Sequence, residues 1–294
     1  MATSGRLLIA VATAALLVRV SFGSAIVSGF DSTSDGRNDD GTYTTGGCTN
    51  PFPGGTCAGT LVPIGFNIDF FGITTNSLYI NTNGNVTLDA PLASPPPNEP
   101  YQLVDGFSEI IAPFYADVDT RNPASGVVTF GEGTFDGDPA FGVNWIGVGY
   151  FDDEADKLDS FQLLLVDTGA NSFDIIFNYG SIQWETGDAN FGTDGLGGYS
   201  AIAGFSDGTG NPSNSYELPG SGIPGSFIDG GPNALATNSL NSNVPGRYIF
   251  EFQDGELVPE PQTSIPIIII GAILFLFNRR RDSHRATRSS GRMP

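Results

Sequence analysis

Along the body of the chain, apolar and polar positions alternate in short runs, and no stretch sustains a helical period. Leu78-Tyr79-Ile80 and Val86-Thr87-Leu88 flank Asn81-Thr82-Asn83-Gly84-Asn85. The Asn83-Gly84 pair suits a turn that needs positive φ, so this stretch predicts a hairpin. A long strand is expected from Phe141 to Phe151, with Val143 and Trp145 on one face and Ile146, Val148 and Tyr150 on the other. An acidic turn, Asp152-Asp153-Glu154-Ala155-Asp156, leads to the apolar run Phe161 to Val166. After a turn at Thr168-Gly169-Ala170-Asn171, the residues Phe173, Ile175, Phe177 and Tyr179 alternate on one face. Tyr199 to Phe205 and Arg247 to Phe252 supply further strands, joined by long Gly/Asn/Ser loops. The predicted fold is all-β: an antiparallel β-sandwich or open barrel with long loops, plus an N-terminal signal helix and one short C-terminal hydrophobic helix.

The two ends break this pattern. Arg6 precedes the apolar run Leu7 to Val18, and the small residues Gly23-Ser24-Ala25 follow at the spacing signal peptidase reads. Residues 1–25 are therefore expected to be a signal peptide. At the other end Val258-Pro259-Glu260-Pro261 precedes the apolar run Ile265 to Phe277, and Arg279-Arg280-Arg281 follows. That run is short for a stable span, which takes about 20 residues. The arginines would hold the tail inside and the preceding domain outside. Such an order resembles the PEP-CTERM sorting signal of Gram-negative bacteria and cyanobacteria. The resemblance implies that an exosortase-type sorting peptidase cuts near Pro-Glu-Pro after the helix has engaged the membrane. A permanent single-span anchor is the plainer reading. The expected organisation is a signal peptide (1–25), an N-terminal segment (26–60), a β domain (61–254) and the sorting signal (255–294).

Charge narrows the partners. Between Ile26 and Pro259 the basic residues are Arg37, Arg121, Lys157 and Arg247, whereas 30 acidic residues fall in the same span, for a balance of 4 − 30 = −26. A field of that sign repels phosphate backbones, which argues against nucleic acid. Cys48 and Cys57 bracket a short loop of turn formers and read as one disulfide in an exported chain. The rival, a two-cysteine metal site, has no nearby histidine to complete it.

Candidate chemistry is sparse. The sole histidine, His284, follows the C-terminal apolar run, so the exported domain has no imidazole for acid–base work or a zinc site. Lys157 is the only lysine and sits in an acidic stretch, and no nucleotide-binding glycine loop is present. No catalytic residue is assigned. Calcium is the cofactor to consider. Asp117-Val118-Asp119 puts two carboxylates on one side of an extended strand, Asp136-Gly137-Asp138 repeats the spacing, and Asp152, Asp153, Glu154 and Asp156 form a third cluster. For Asp117 and Asp119 the bland alternative is a hydrogen-bonded strand end beside Arg121. Asn85-Val86-Thr87 fits the glycosylation sequon but also reads as a plain hairpin residue.

An ordered series of short motifs runs through the body. It begins with Pro63-Ile64-Gly65-Phe66, Asn81 to Val86 and Ile111-Ala112-Pro113-Phe114-Tyr115-Ala116-Asp117-Val118-Asp119-Thr120-Arg121. It continues through Val143 to Val148, Phe161 to Leu165, Phe177-Asn178-Tyr179, Ile182-Gln183-Trp184 and Gly204-Phe205, and closes on Pro245 to Phe250. This series resembles the NIDO domain, the nidogen-like extracellular module also found in tectorin and mucin-type proteins, over about Leu61 to Gln253. Tyr115 stands where another aromatic, often Trp, is usual, and the neighbouring modules of animal relatives are missing. The resemblance implies a non-enzymatic exported protein of cell–matrix adhesion, with extracellular matrix, exopolysaccharide or a cell surface as partner. The alternative class is an exported glycan-active enzyme using paired carboxylates.

Overall fold

The computed structural model describes residues 24–45 and 59–259. Residues 1–23 of the expected signal peptide, Cys48 and Cys57, Glu260 and Pro261, the C-terminal apolar run and Arg279, Arg280 and Arg281 all lie outside the described residues. Among the described residues no helix is long and apolar enough to cross a membrane.

Short strands follow one another as the alternation predicts. They are β1 (Thr33–Ser34), β2 (Val62–Phe70), β3 (Ile73–Asn81), β4 (Asn85–Thr87), β5 (Ile110–Tyr115), β6 (Val118–Asp119) and β7 (Val128–Phe135). Then come β8 (Asp138–Tyr150), β9 (Glu154–Gly169), β10 (Ser172–Ser181), β11 (Ile202–Ser206), β12 (Ser215–Glu217), β13 (Arg247–Gln253) and β14 (Glu256–Leu257). They form two antiparallel sheets. One runs β1-β7-β8-β9-β10-β13-β14, with β6 on the far end of β8, and the other runs β12-β11-β5-β4-β3-β2. The sheets do not close into a barrel. Of the two expected architectures, the sandwich is the one found.

The inner faces explain why the sheets pack. Ile64, Ile68, Phe70, Ile80, Ile111, Phe114 and Phe205 from one sheet meet Phe141, Val143, Phe161, Leu163, Ile175 and Phe250 from the other in a single buried cluster. Aromatic rings bridge the layers: Phe114 to Phe161 at 5.2 Å, Phe70 to Phe252 at 5.5 Å and Phe205 to Phe250 at 5.2 Å between centroids.

Two departures from simple alternation have physical causes. Val148 and Tyr150 were expected opposite Val143 and Trp145, yet all four lie in the same core. The ladder between β8 and β9 shifts register between Ile146 and Val148, and Gly147 sits at φ 65°. One extra residue at this bulge re-phases the strand and leaves Ile146 outside. The unbroken apolar run in β9 has a different origin. Phe161, Leu163 and Leu165 face the main core, while Leu164 and Val166 lie under Phe30 and Val27 of the N-terminal segment.

That segment is held by a polar ladder on the outer face. Gln162 Nε2 donates to the Val27 carbonyl at 2.7 Å and its Oε1 accepts from Val27 N at 3.1 Å. Asn144 Nδ2 donates to the Phe30 carbonyl at 2.6 Å, and Arg247 Nη2 to the Ala25 carbonyl at 3.0 Å. Satisfying these buried amides fixes where the segment lies.

Candidate functional site

The hairpin loop between β3 and β4 is the hub of the acidic site. Gly84 adopts φ 72°, as the Asn83-Gly84 signal predicts. The turn buries Asn83 completely and aims its amide at two neighbours. Asn83 Nδ2 donates to Asp40 Oδ1 at 2.9 Å and to the Ala93 carbonyl at 3.0 Å, and its Oδ1 accepts from Val118 N at 2.9 Å. One side chain thus joins the N-terminal segment to the entry of β6.

Residues 37–41 are then locked between the hub and the segment after β6. Asn38 N donates to Thr120 Oγ1 at 2.9 Å, and Thr82 N donates to the Gly41 carbonyl at 2.9 Å. Arg37 Nη1 donates to the carbonyls of Thr120, Asn122 and Ser125 at 2.7, 2.7 and 2.8 Å. So fixed, Asp39, Asp40 and Asp117 each place a carboxylate oxygen within 4.8 Å of the others. Gly187 closes over Asp117, where a Cβ would lie 2.7 Å from Oδ2.

Asp119 takes a different role. Arg121 Nε donates to both of its oxygens at 3.0 Å and Nη2 to Oδ2 at 2.5 Å, while Arg121 N and Asp153 N donate at 2.9 and 2.7 Å. Arg121 Nη2 also reaches Asp152 Oδ1 at 2.8 Å and Asp39 Oδ2 at 3.4 Å. Fork-like donation of this kind saturates the Asp119 carboxylate. The two aspartates of the Asp-Val-Asp motif therefore part company: Asp117 joins Asp39 and Asp40, and Asp119 anchors Arg121.

Electrostatics follow from burial. The Asp39 carboxyl is pushed up to about 8, first by burial and then by the negative charges of Asp119 and Asp40, with Arg121 pulling the other way. Burial, then Asp39, Asp40 and Asp119, pushes Asp117 up to about 8 as well. Asp40 is raised, chiefly by burial. Arg121 is raised, first by its hydrogen bond to Asp119. With Asp39 at 0% and Asp117 at 2% exposure, a sugar polymer has no path to these carboxylates.

The other acidic motifs resolve into structure. Asp136 and Gly137, both at positive φ, make the two-residue turn joining β7 to β8. Asp156 accepts from Tyr150 Oη at 2.7 Å and pairs with Lys157 at 2.7 Å. Asn85 of the sequon is fully buried, and its Nδ2 donates to the Asn83 carbonyl at 3.2 Å, so the folded hairpin offers no acceptor to a glycosyltransferase. A second buried carboxylate, Asp159, accepts from Gln183 N and Trp184 N at 2.6 and 3.2 Å and pins the chain leaving β10. Asp39 and Asp40 were not singled out from sequence. Their signal was the adjacent pair inside Asn38-Asp39-Asp40-Gly41, in a segment without apolar alternation.

Comparison with known proteins matches this architecture to one family. The model of the nidogen-like domain matches residues 76–254. Human alpha-tectorin is 32% identical over 222 residues, covering 67% of this chain and 10% of that protein. Chicken alpha-tectorin is 29% identical over 214 residues, covering 65% of this chain and 9% of its own length. Nidogen of Drosophila melanogaster is 29% identical over 209 residues, covering 63% of this chain and 14% of its own length. The match therefore spans about a tenth of the alpha-tectorins. No solved structure matches the chain. With the family's pattern running from β3 through the end of β13, the chain belongs to the nidogen-like (NIDO) domain family.

Proposed function

We propose that this chain is an exported, non-enzymatic surface protein whose NIDO domain binds extracellular matrix, exopolysaccharide or a neighbouring cell surface. Family membership across the sandwich carries the reading. Nidogen and tectorin, the names its relatives bear, belong to the same extracellular class of module. Chemistry supports it from the other side: among the described residues there is no histidine, and Asp39 and Asp117 of the acidic cluster are buried away from polymers. Phe107 and Phe191, 92% and 70% exposed, are the large aromatic side chains left in solvent among the described residues. They are the natural first contacts for a sugar face or a partner surface.

Delivery follows the two ends. Signal peptidase removes the N-terminal leader, the C-terminal apolar helix holds the chain in the inner membrane, and an exosortase cuts near Val258-Pro259-Glu260-Pro261. Cys48 and Cys57 close a disulfide loop once outside. A binding screen of the full chain against the organism's exopolysaccharide and matrix proteins tests the role. Binding that falls when Phe107 and Phe191 are both changed to Ser supports it. Release of reducing sugar that vanishes with a single Asp or Glu substitution would instead establish the glycan-active enzyme. Mass spectrometry of the mature C-terminus tests sorting, because a retained Phe277 contradicts cleavage.

A further inference from the structure

We propose that Asp39, Asp40 and Asp117 bind a calcium ion that ties the N-terminal segment to the sandwich. This inference does not depend on what the outer surface recognises. The three carboxylates come from two separate stretches of chain, and their ligand oxygens lie within 4.8 Å of one another. Oxygens on opposite sides of one calcium, each about 2.3–2.6 Å from the ion, would be about 5 Å apart. The group is the right size for one ion.

The second observation is an orphaned carboxylate. Asp39 is 0% exposed, and neither of its oxygens has a hydrogen-bond donor. Its one neighbour of opposite charge, Arg121 Nη2, lies 3.4 Å from Oδ2, beyond good hydrogen-bond length, and Oδ1 faces no donor at all. Asp117, 2% exposed, faces the negative charges of Asp39, Asp40 and Asp119. Buried carboxylates are otherwise paired, hydrogen-bonded or bound to metal.

Charge points the same way. Asp39, Asp40, Asp117, Asp119 and Asp152 gather around one guanidinium, that of Arg121. A divalent cation offsets the excess where no side chain does. An all-oxygen donor set favours a hard cation over zinc. Convergent carboxylates on fixed walls suit calcium better than magnesium, which keeps its waters and demands near-octahedral geometry.

The test uses the full chain stripped with EGTA and titrated with calcium chloride, read by isothermal calorimetry and thermal unfolding. Calcium should raise the unfolding temperature by several degrees, with half-saturation at roughly 10⁻⁴–10⁻³ M, the range of extracellular modules. Asp39→Asn and Asp117→Asn should abolish the shift, and Asp40→Asn should weaken binding about tenfold. Asp136→Asn, in the β7–β8 turn, should leave the shift intact. Calcium-free Asp39→Asn should unfold no lower than the calcium-free parent, because the carboxyl it replaces accepts no hydrogen bond there; a merely structural aspartate would show the opposite. Should Asp39→Asn or Asp117→Asn fail to fold, half-buried Asp40 carries the test. The proposal falls if calcium at about 10 mM, well above that range, shifts nothing. It also falls if magnesium matches calcium, or if the Asp40→Asn variant responds like the parent.

Discussion

Arg121 is where the fold commits a single cation to two buried carboxylates, Asp119 and Asp39, and one exposed one, Asp152, so its removal should be costly. The perturbation is Arg121→Met, which keeps the apolar stem and its packing near Phe151 but deletes the guanidinium. Three donations to Asp119 disappear, together with the ion pairs to Asp152 and Asp39. Asp119 stays fully buried with two backbone donors, Arg121 N and Asp153 N. Stranding a buried partner ordinarily costs about 3–5 kcal/mol. The remaining backbone bonds, and an arginine side chain that is itself 27% exposed, reduce this to about 2–4 kcal/mol. Urea unfolding in EGTA measures it. With a slope of about 3 kcal/mol per molar for a domain of this size, the midpoint should fall by about 1 M without a change in slope. Calcium should restore part of the loss, since the ion on Asp39, Asp40 and Asp117 supplies positive charge beside the same carboxylates. A loss below about 0.5 kcal/mol, the scale of an ordinary surface change, would refute the idea that Arg121 holds this cluster together.

Three further substitutions probe the frame around the site. Phe205 packs its ring against Phe70, Phe71, Tyr216, Phe250 and Phe252, so Phe205→Ala should cost about 3–5 kcal/mol by chemical denaturation, and a loss under about 1 kcal/mol would show the two sheets are not joined there. Gly84→Ala meets both a positive φ and the Phe114 carbonyl 1.8 Å from the new Cβ; it should destabilise by at least about 2 kcal/mol, more than the left-handed backbone alone costs. Asp174 lies directly opposite Glu251 on β13, and burial followed by that charge raises it to about 6. Its folded pKa lies above its unfolded value, so its contribution is fully present below about pH 4 and is lost as pH rises through about 6. Asp174→Asn should therefore stabilise the protein by about 1 kcal/mol at pH 7 and by nothing at pH 4; equal effects at both would contradict the assignment.

Much of the frame could be read along the chain, because strands announce themselves locally. Phe173, Ile175, Phe177 and Tyr179 alternate and all face the core, as do Tyr248, Phe250 and Phe252. Asn83-Gly84 marked its turn for the same reason: positive φ is a property of two adjacent residues. What could not be read was set by distant chain. The Gly147 bulge swaps the faces of Val148 and Tyr150 only because β9 pairs on both sides of it. Leu164 and Val166 are apolar on an outward face because the N-terminal segment, more than a hundred residues earlier, lies over them.

The acidic site is the extreme case of this dependence. In sequence, Asp117 and Asp119 are equivalent members of one motif, and Asp39 and Asp40 are two of many acids in a chain full of them. Folding separates the first pair: Arg121 lies two residues beyond Asp119 and takes its carboxylate, leaving Asp117 to face the other way. It unites the second pair with Asp117 through Asn83, whose amide reaches Asp40 and Val118 at once. An aspartate at the surface costs nothing to keep, so its presence carries no message. The same residue buried without a donor opposes folding, and a chain that keeps it there needs a compensating charge from somewhere. Asp39 is that residue, with one oxygen facing no partner and the other 3.4 Å from a guanidinium already engaged by Asp119 and Asp152. For this reason the site was silent in the sequence and becomes specific only in three dimensions.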